Sequence, residues 1–362
     1  VHQSGEFLYV GGEFSTGAEQ NPNGVAYWDG MHWRSMEDGI CFWSSSPVVY
    51  CLTTFNGDVY AGGHFIAIGG TPAYHVARWD GTSWQAVSGG VGGVFDPEVY
   101  TMVEFDDQLH AGGEFTTAGG SPALGIAKWD GSSWSAVGTG VNARVYATAV
   151  HDSCLYAGGA FFKAGPVDVP HIARWDGLSW SPVGTEVDGI VYALASYGGS
   201  LYAGGEFTLA DGESVDHVMR WDGTSWHGID GGVNDDVRVL RVHDGSLVVG
   251  GWFTTAGGAG VSHIAGWDGT AWHALGTGMD FGVFGLGSYN GDLVAGGAFT
   301  RAGSAAASRL ARWTGEEWLP LSRGFNGPVR DFTTENDTLY AGGVFSIADR
   351  VGANRVARWD ND

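Results

Sequence analysis

Six residues carry the side chains best suited to hold a ligand: Trp43, His64, Asp96, Glu98, Glu13 and Glu114. An indole beside carboxylates can stack on a sugar ring while the carboxylates accept hydrogen bonds from its hydroxyls. The same set also suits a cationic peptide. Trp43 lies in ICFWSSSP (40–47), and Asp96 and Glu98 lie in GGVFDPE (92–98). Both segments are about four or five residues longer than their counterparts elsewhere in the chain. Surface loops tolerate such insertions and also carry function. The competing account is ordinary loop variation, with Trp43 packed over a strand edge.

Two further sets recur at fixed spacing. Asn142, Asp188, Asn234, Asp280 and Asn326 stand 46 residues apart. Calcium needs roughly six to eight oxygens converging on one point, whereas one side chain per repeat spreads them out. An Asx turn at the start of each repeat's first strand is the expected role. His75, His171, His217 and His263 share one slot with Gly125, Arg309 and Arg355, and are expected to pack or hydrogen-bond rather than bind metal. No G-x-S-x-G, H-E-x-x-H or C-x-x-C segment occurs, so no catalytic residue, metal or cofactor is expected. Cys41, Cys51 and Cys154 are too few for a disulfide framework. A Cys41–Cys51 bond stays open, and Cys154 is expected free.

These residues are positioned by a repeat. A glycine pair in LYAGG-like segments starts at Gly11, Gly62, Gly112, Gly158, Gly204, Gly250, Gly296 and Gly342, with spacings of 51, 50 and then 46. Trp-Asp-Gly or a near relative starts at Trp28, Trp79, Trp129, Trp175, Trp221, Trp267, Trp313 and Trp359 in the same register. Two markers with one period make eight copies of about 46 residues. Residues 191–233 read as four short strands: VYALASYG, LYAGGEFT, HVMRWDG and SWHGI, separated by glycine-rich and Asp-Gly turns. Such copies bury their faces only against neighbours. The expected fold is all-β: one eight-bladed β-propeller spanning 1–362, each blade a four-stranded antiparallel sheet, the last incomplete. The Phe after each glycine pair and the paired Trp residues are expected in the core, and the glycines should let a neighbouring Trp or backbone approach. Trp252, outside the pattern, is expected as a core substitution.

The glycine doublet closing the second strand, followed by an aromatic–Asp–turn–Trp pattern such as WDGTSW at 221–226, resembles kelch repeats. The chain is similar to the kelch-like repeats of fungal cortical cell-polarity markers and of secreted bacterial proteins with IARWDG and LYVGG motifs. The Trp-Asp pair also resembles WD repeats, but the doublet and second Trp favour kelch. The resemblance implies the fold and leaves function open, since propellers host unrelated activities. The Tyr/Cys/His set of the copper-radical oxidases related to kelch proteins is not placed in this sequence.

Net charge is −23, with 40 acidic against 17 basic residues. Nucleic acid and anionic membrane surfaces are therefore poor partners, and no apolar run is long enough for membrane insertion. The reading is a non-catalytic extracellular or cell-surface scaffold that binds a protein or glycan through the loops around the second repeat. The alternatives are a polysaccharide-active lyase or hydrolase, and a structural domain of a larger surface or appendage protein. The chain opens partway through a first strand and stops after a third, which reads as a piece of a longer chain or assembly.

Overall fold

The computed structural model describes the backbone of residues 48–68, 71–80, 83–93, 96–289, 291–320 and 327–335, plus short strands between 2 and 41 and between 338 and 359. Side chains are described between residues 50 and 329, apart from 52, 54, 59, 68–70, 81–82, 94–95, 289–290 and 321–326. Among these residues there is no helix. Trp43, Glu13, Cys41, Asn326 and Arg355 lie outside the described side chains.

Each repeat folds into an antiparallel sheet whose strands neighbour one another in chain order. In the fifth repeat these are Ile190–Tyr197, Ser200–Glu206, Val218–Trp221 and Trp226–Gly228. Among the described residues, the sheet of the last repeat has three strands, Val329–Glu335, Thr338–Gly343 and Val356–Trp359. The segment joining second and third strands, which reads as plain loop in sequence, makes a small hairpin of its own, as in Leu209–Ala210 with Glu213–Ser214. First and second strands meet in a tight turn at what we call the hairpin end. The opposite, loop end holds the small hairpins and the segments joining repeats.

The repeats group into two compact units. One comprises Val1–Val137, Gly287–Gly291 and Ser322–Asp362, the other Gly138–Leu286 and Asp292–Leu321. Within the first unit, the strand Val329–Glu335 packs beside His2–Ser4 and Phe7–Gly11.

Repeating residues build the contacts between sheets. The Phe after the glycine pair is buried at 65, 115, 161, 207, 253 and 299, each burial contributing about 2–3 kcal/mol. The two Trp of a repeat stand opposite each other on adjacent strands, as Trp221 and Trp226 do with ring centroids 5.3 Å apart. The indole N–H of the second Trp then crosses to the preceding sheet. Trp134 donates to the Val87 carbonyl at 2.8 Å, Trp226 to Val183 at 2.8 Å and Trp318 to Leu275 at 2.7 Å. The glycine pair does allow close approach: the second glycine admits backbone, a Cβ at Gly159 lying 2.0 Å from the Arg144 carbonyl oxygen, and the first admits a valine rather than a Trp. A Cβ at Gly62 would lie 2.6 Å from Val99 Cγ1, and one at Gly158 would lie 2.5 Å from Val191 Cγ1. A first-strand valine fits there because a β-bulge just after it, as between Val191 and Ala193, turns the strand.

Turn chemistry follows the sequence. In the Trp-Asp-Gly turns the aspartate accepts from backbone N–H groups two and three residues on: Asp222 from Thr224 at 2.8 Å and Ser225 at 3.0 Å. These bonds hold the Asp222 carboxyl below the usual range. The Thr270 hydroxyl, with the N–H groups of Ala271 and Thr270, brings Asp268 down to about 2. Where the seventh repeat has Thr314, its hydroxyl oxygen takes the same place, 3.3 Å from the Glu317 N–H.

Candidate functional site

The recurrent Asn/Asp residues are not local Asx turns. Asp188 Oδ1 accepts from the N–H of Thr208 at 2.7 Å and Leu209 at 2.9 Å, and its Oδ2 accepts from the Thr208 hydroxyl. Asn142 does the same to Phe162 and Lys163, Asn234 to Thr254 and Thr255, and Asp280 to Thr300 and Arg301. Each side chain clamps the segment entering the first strand to the small hairpin some 20 residues on. Partial burial raises the Asp188 and Asp280 carboxyls, but the bonds they accept outweigh it and hold both below the ordinary value. Because a carboxamide accepts as well as a carboxylate does, Asn and Asp interchange here.

The histidine slot is a left-handed backbone position. His75, His171, His217 and His263 have φ between +67° and +72°, Arg309 has +69° and Gly125 has +65°. That explains why glycine shares the slot. In His171 and His217 the ring Nδ1 donates to the carbonyl of the second glycine of the pair, Gly159 and Gly205, at 3.2 Å. Among the described residues no group of three or more His, Cys, Asp or Glu could hold a metal ion. The Cys51 thiol donates to the Gly62 carbonyl at 3.8 Å, and Cys154 is not in a disulfide.

At the loop end of the second and third repeats, the structure brings several expected site residues together. His64 is buried and its ring stacks on His75 with centroids 6.1 Å apart. Burial, with the neighbouring His64, pushes the His75 imidazole down to about 4. Asp96 is exposed and acts electrostatically on His75. Glu98 and Glu114 face each other across the strand pair and are half-buried. Glu98 accepts from the Tyr50 hydroxyl at 3.3 Å and from the Tyr100 hydroxyl, and the two tyrosine rings lie 5.1 Å apart.

Tyr50 and Tyr100 belong to a position that sequence reading missed. It is the residue skipped by the β-bulge of each first strand, Tyr50, Tyr100, Tyr146, Tyr192 and Arg238 in successive repeats, with Phe284 next. The signal was present as an aromatic or arginine recurring at a fixed place among apolar residues.

In the second unit this position makes a half-buried row. Tyr146 and Tyr192 rings lie 5.4 Å apart, and the Arg238 guanidinium sits 4.0 Å above the Tyr192 ring. Arg238 donates to Asp236 at 2.8 Å, and His217 Nδ1 lies 3.9 Å from the same carboxylate. The Tyr192 hydroxyl donates to Glu206 at 2.9 Å. Burial and that carboxylate acceptor push the Tyr192 hydroxyl up to about 12. Burial also raises the Asp236 carboxyl, against the pull of Arg238.

Trp252 does not replace a core residue. It is half-exposed at this same loop end, edge-on to Phe281 at 5.0 Å and tilted to Phe284 at 5.2 Å. It follows the glycine pair, where the alternating strand direction puts the side chain beside the bulge row instead of between sheets.

A family model described as a β-propeller domain of unknown function (DUF5122) matches residues 243–265. No curated protein matches the chain. Among solved structures, the extracellular domain of a one-component system from B. thetaiotaomicron is similar at a TM-score of 0.57 and 12% identity. That match covers 88% of this chain and 39% of the other, so this chain spans well under half of that one's length. The computationally designed Ika8 protein matches at 0.55 and 15% identity over 99% of this chain and 97% of its own. The WD40 β-propeller domain of Doa1 matches at 0.52 and 13%, over 89% and 95%. At these identities the likeness shows the fold, a β-propeller.

Proposed function

We propose that the chain is a non-catalytic binding scaffold, extracellular or on a cell surface. In this reading it is a single kelch-like propeller of eight blades that recognises a protein or glycan at the loop end around the second repeat. The observation that carries the reading is a division of labour. Residues that repeat are spent on the fold: the Asn/Asp clamps, the Trp pairs and the Trp-Asp-Gly turns. Residues that depart from the repeat gather at the loop end, where Asp96 is exposed and Glu98 and Glu114 are half-buried. Loops on a rigid frame suit recognition. The acidic surface, at net charge −23, leaves nucleic acid out, and among the described residues no helix is long and apolar enough to cross a membrane.

The test is a glycan array together with binding to surface-protein fractions, using the chain and a Trp43→Ala/Asp96→Asn double variant. Binding lost in the variant supports the reading, whereas binding that survives both changes removes the second repeat from it. His64 serves less well as a probe, since its ring stacks on His75 and its loss would disturb the strand beneath. Release of reducing ends from a polysaccharide by the purified chain would overturn the non-catalytic assignment.

A further inference from the structure

The second unit carries its own worked example of cation recognition. Arg238 lays its guanidinium on the face of Tyr192 at 4.0 Å and pairs with Asp236 at 2.8 Å. An aromatic face plus a carboxylate is a favourable seat for a cationic side chain, because the ring quadrupole and the anion attract the same charge. One repeat further on, the bulge position holds Phe284 where the preceding repeat has Arg238, and a larger aromatic surface stands beside it. Trp252 and Phe284 are half-buried, and Phe281 is 49% exposed. Acidic groups border this surface. Asp235 precedes Asp236, whose carbonyl accepts the Trp252 N–H at 2.9 Å. His263, 6.4 Å from the Phe281 ring, feels the charges of both Asp280 and Asp235. Asp280 is consumed by its clamp, accepting from Thr300 and Arg301. Asp235 is exposed, and among the described residues no arginine or lysine pairs with it.

We propose that Trp252, Phe281 and Phe284, with Asp235, form a docking site for an arginine- or lysine-bearing segment of a partner protein. Its cationic side chain lies on the rings and pairs with Asp235, as Arg238 lies on Tyr192 and pairs with Asp236. Charge complementarity selects this occupant over a neutral glycan: Asp235 is exposed, acts on His263 beside Phe281, and belongs to a chain whose net charge is −23. The fold leaves Phe281 exposed and Trp252 and Phe284 only partly covered, although it buries the Phe of every described glycine pair. This site rests on the binding-scaffold reading and narrows it to a partner class.

The experiment titrates the chain with a fluorescein-labelled Gly-Arg-Gly-Arg-Gly peptide at physiological salt, with a Gly-Glu-Gly-Glu-Gly peptide and neutral cello- and manno-oligosaccharides in parallel. The expected result is saturable binding of the arginine peptide only, weakened at least tenfold by Trp252→Ala and by Asp235→Asn. Asp168→Asn, a charge change at an exposed position elsewhere, should leave it within twofold. Asp235 is exposed and makes little of the fold, so its variant reports even if Trp252→Ala proves unstable. Equal loss in Asp168→Asn, or retained affinity in Asp235→Asn, overturns the site by reducing it to diffuse charge attraction. Oligosaccharide binding that Trp252→Ala abolishes overturns the cationic occupant while leaving the scaffold reading intact. Absence of binding by every probe overturns this site and leaves the second-repeat patch to be judged by its own array.

Discussion

The loop ends of the second and the sixth repeats start from the same framework and finish differently. In the second, the residue after the glycine pair is His64, which turns inward and stacks on His75, and Glu98 is occupied by two tyrosine hydroxyls. In the sixth, the same position is Trp252, which stays half-exposed among Phe281 and Phe284. An insertion marks the first region in sequence, and nothing but side-chain identity marks the second. The contrast teaches that length variation and exposed chemistry are separate signals: a repeat flanked by insertions can turn its side chain inward, while a repeat of standard length can leave aromatics part-exposed.

This contrast can be broken or sharpened by experiment. The largest effect should come from the shared framework. Phe207→Ala, a buried side chain of the fifth repeat, should cost about 3–5 kcal/mol in denaturant unfolding. Gly158→Val should be comparably severe, because Val191 already occupies the space. A loss under about 1 kcal/mol at either site would mean that the sheets do not pack as described.

Acid should separate the two regions next. His75 titrates near 4 in the fold against an ordinary value near 6.5, so the unfolded chain takes up the proton first. Stability is therefore complete above about pH 6.5 and falls as pH drops towards 4, by on the order of 3 kcal/mol. His110, buried and also brought to about 4, adds in the same direction. Hydrogen exchange at pH 7 and pH 4.5 should show protection falling first around strands 58–64 and 76–79. Uniform loss across both units would contradict a local origin.

The clamp is the third test. Asp188→Ala should cost about 1–2 kcal/mol, as for other side chains that satisfy backbone N–H groups, whereas Asp188→Asn should be nearly neutral. Thermal melts that rank the two variants equally would show the charge to matter more than the acceptor. The smallest effect is expected at Arg238→Ala, about 0.5–1 kcal/mol for a part-exposed stack and ion pair. In the unmodified chain, the Arg238 side-chain protons should be shifted upfield in NMR by the Tyr192 ring beneath them.

Much of the fold was legible because it is periodic. The glycine pairs, the Trp-Asp-Gly turns and the buried Phe announce themselves by spacing, and each repeat must satisfy the same packing problem. Chemistry at the loop end was less legible. Trp252 resembled a core substitution because sequence shows what departs from the pattern but not which way the strand turns it. The Asn/Asp residues resembled local turns because their partners lie about 20 residues away, across a loop whose path only the folded chain reveals.

By itself, the sequence determined the repeat, the strand order within it and the residues that bury between sheets, since period and residue type fix which atoms must leave water. Tertiary structure alone decided which polar groups are spent and which remain. His64 lies under cover, Asp188 and Asp280 are consumed by backbone donors, and Asp235 and Trp252 remain at the surface. The physical reason is that a hydrogen bond or a stacked ring depends on distances between residues far apart in the chain. Those distances exist only once the sheets have packed.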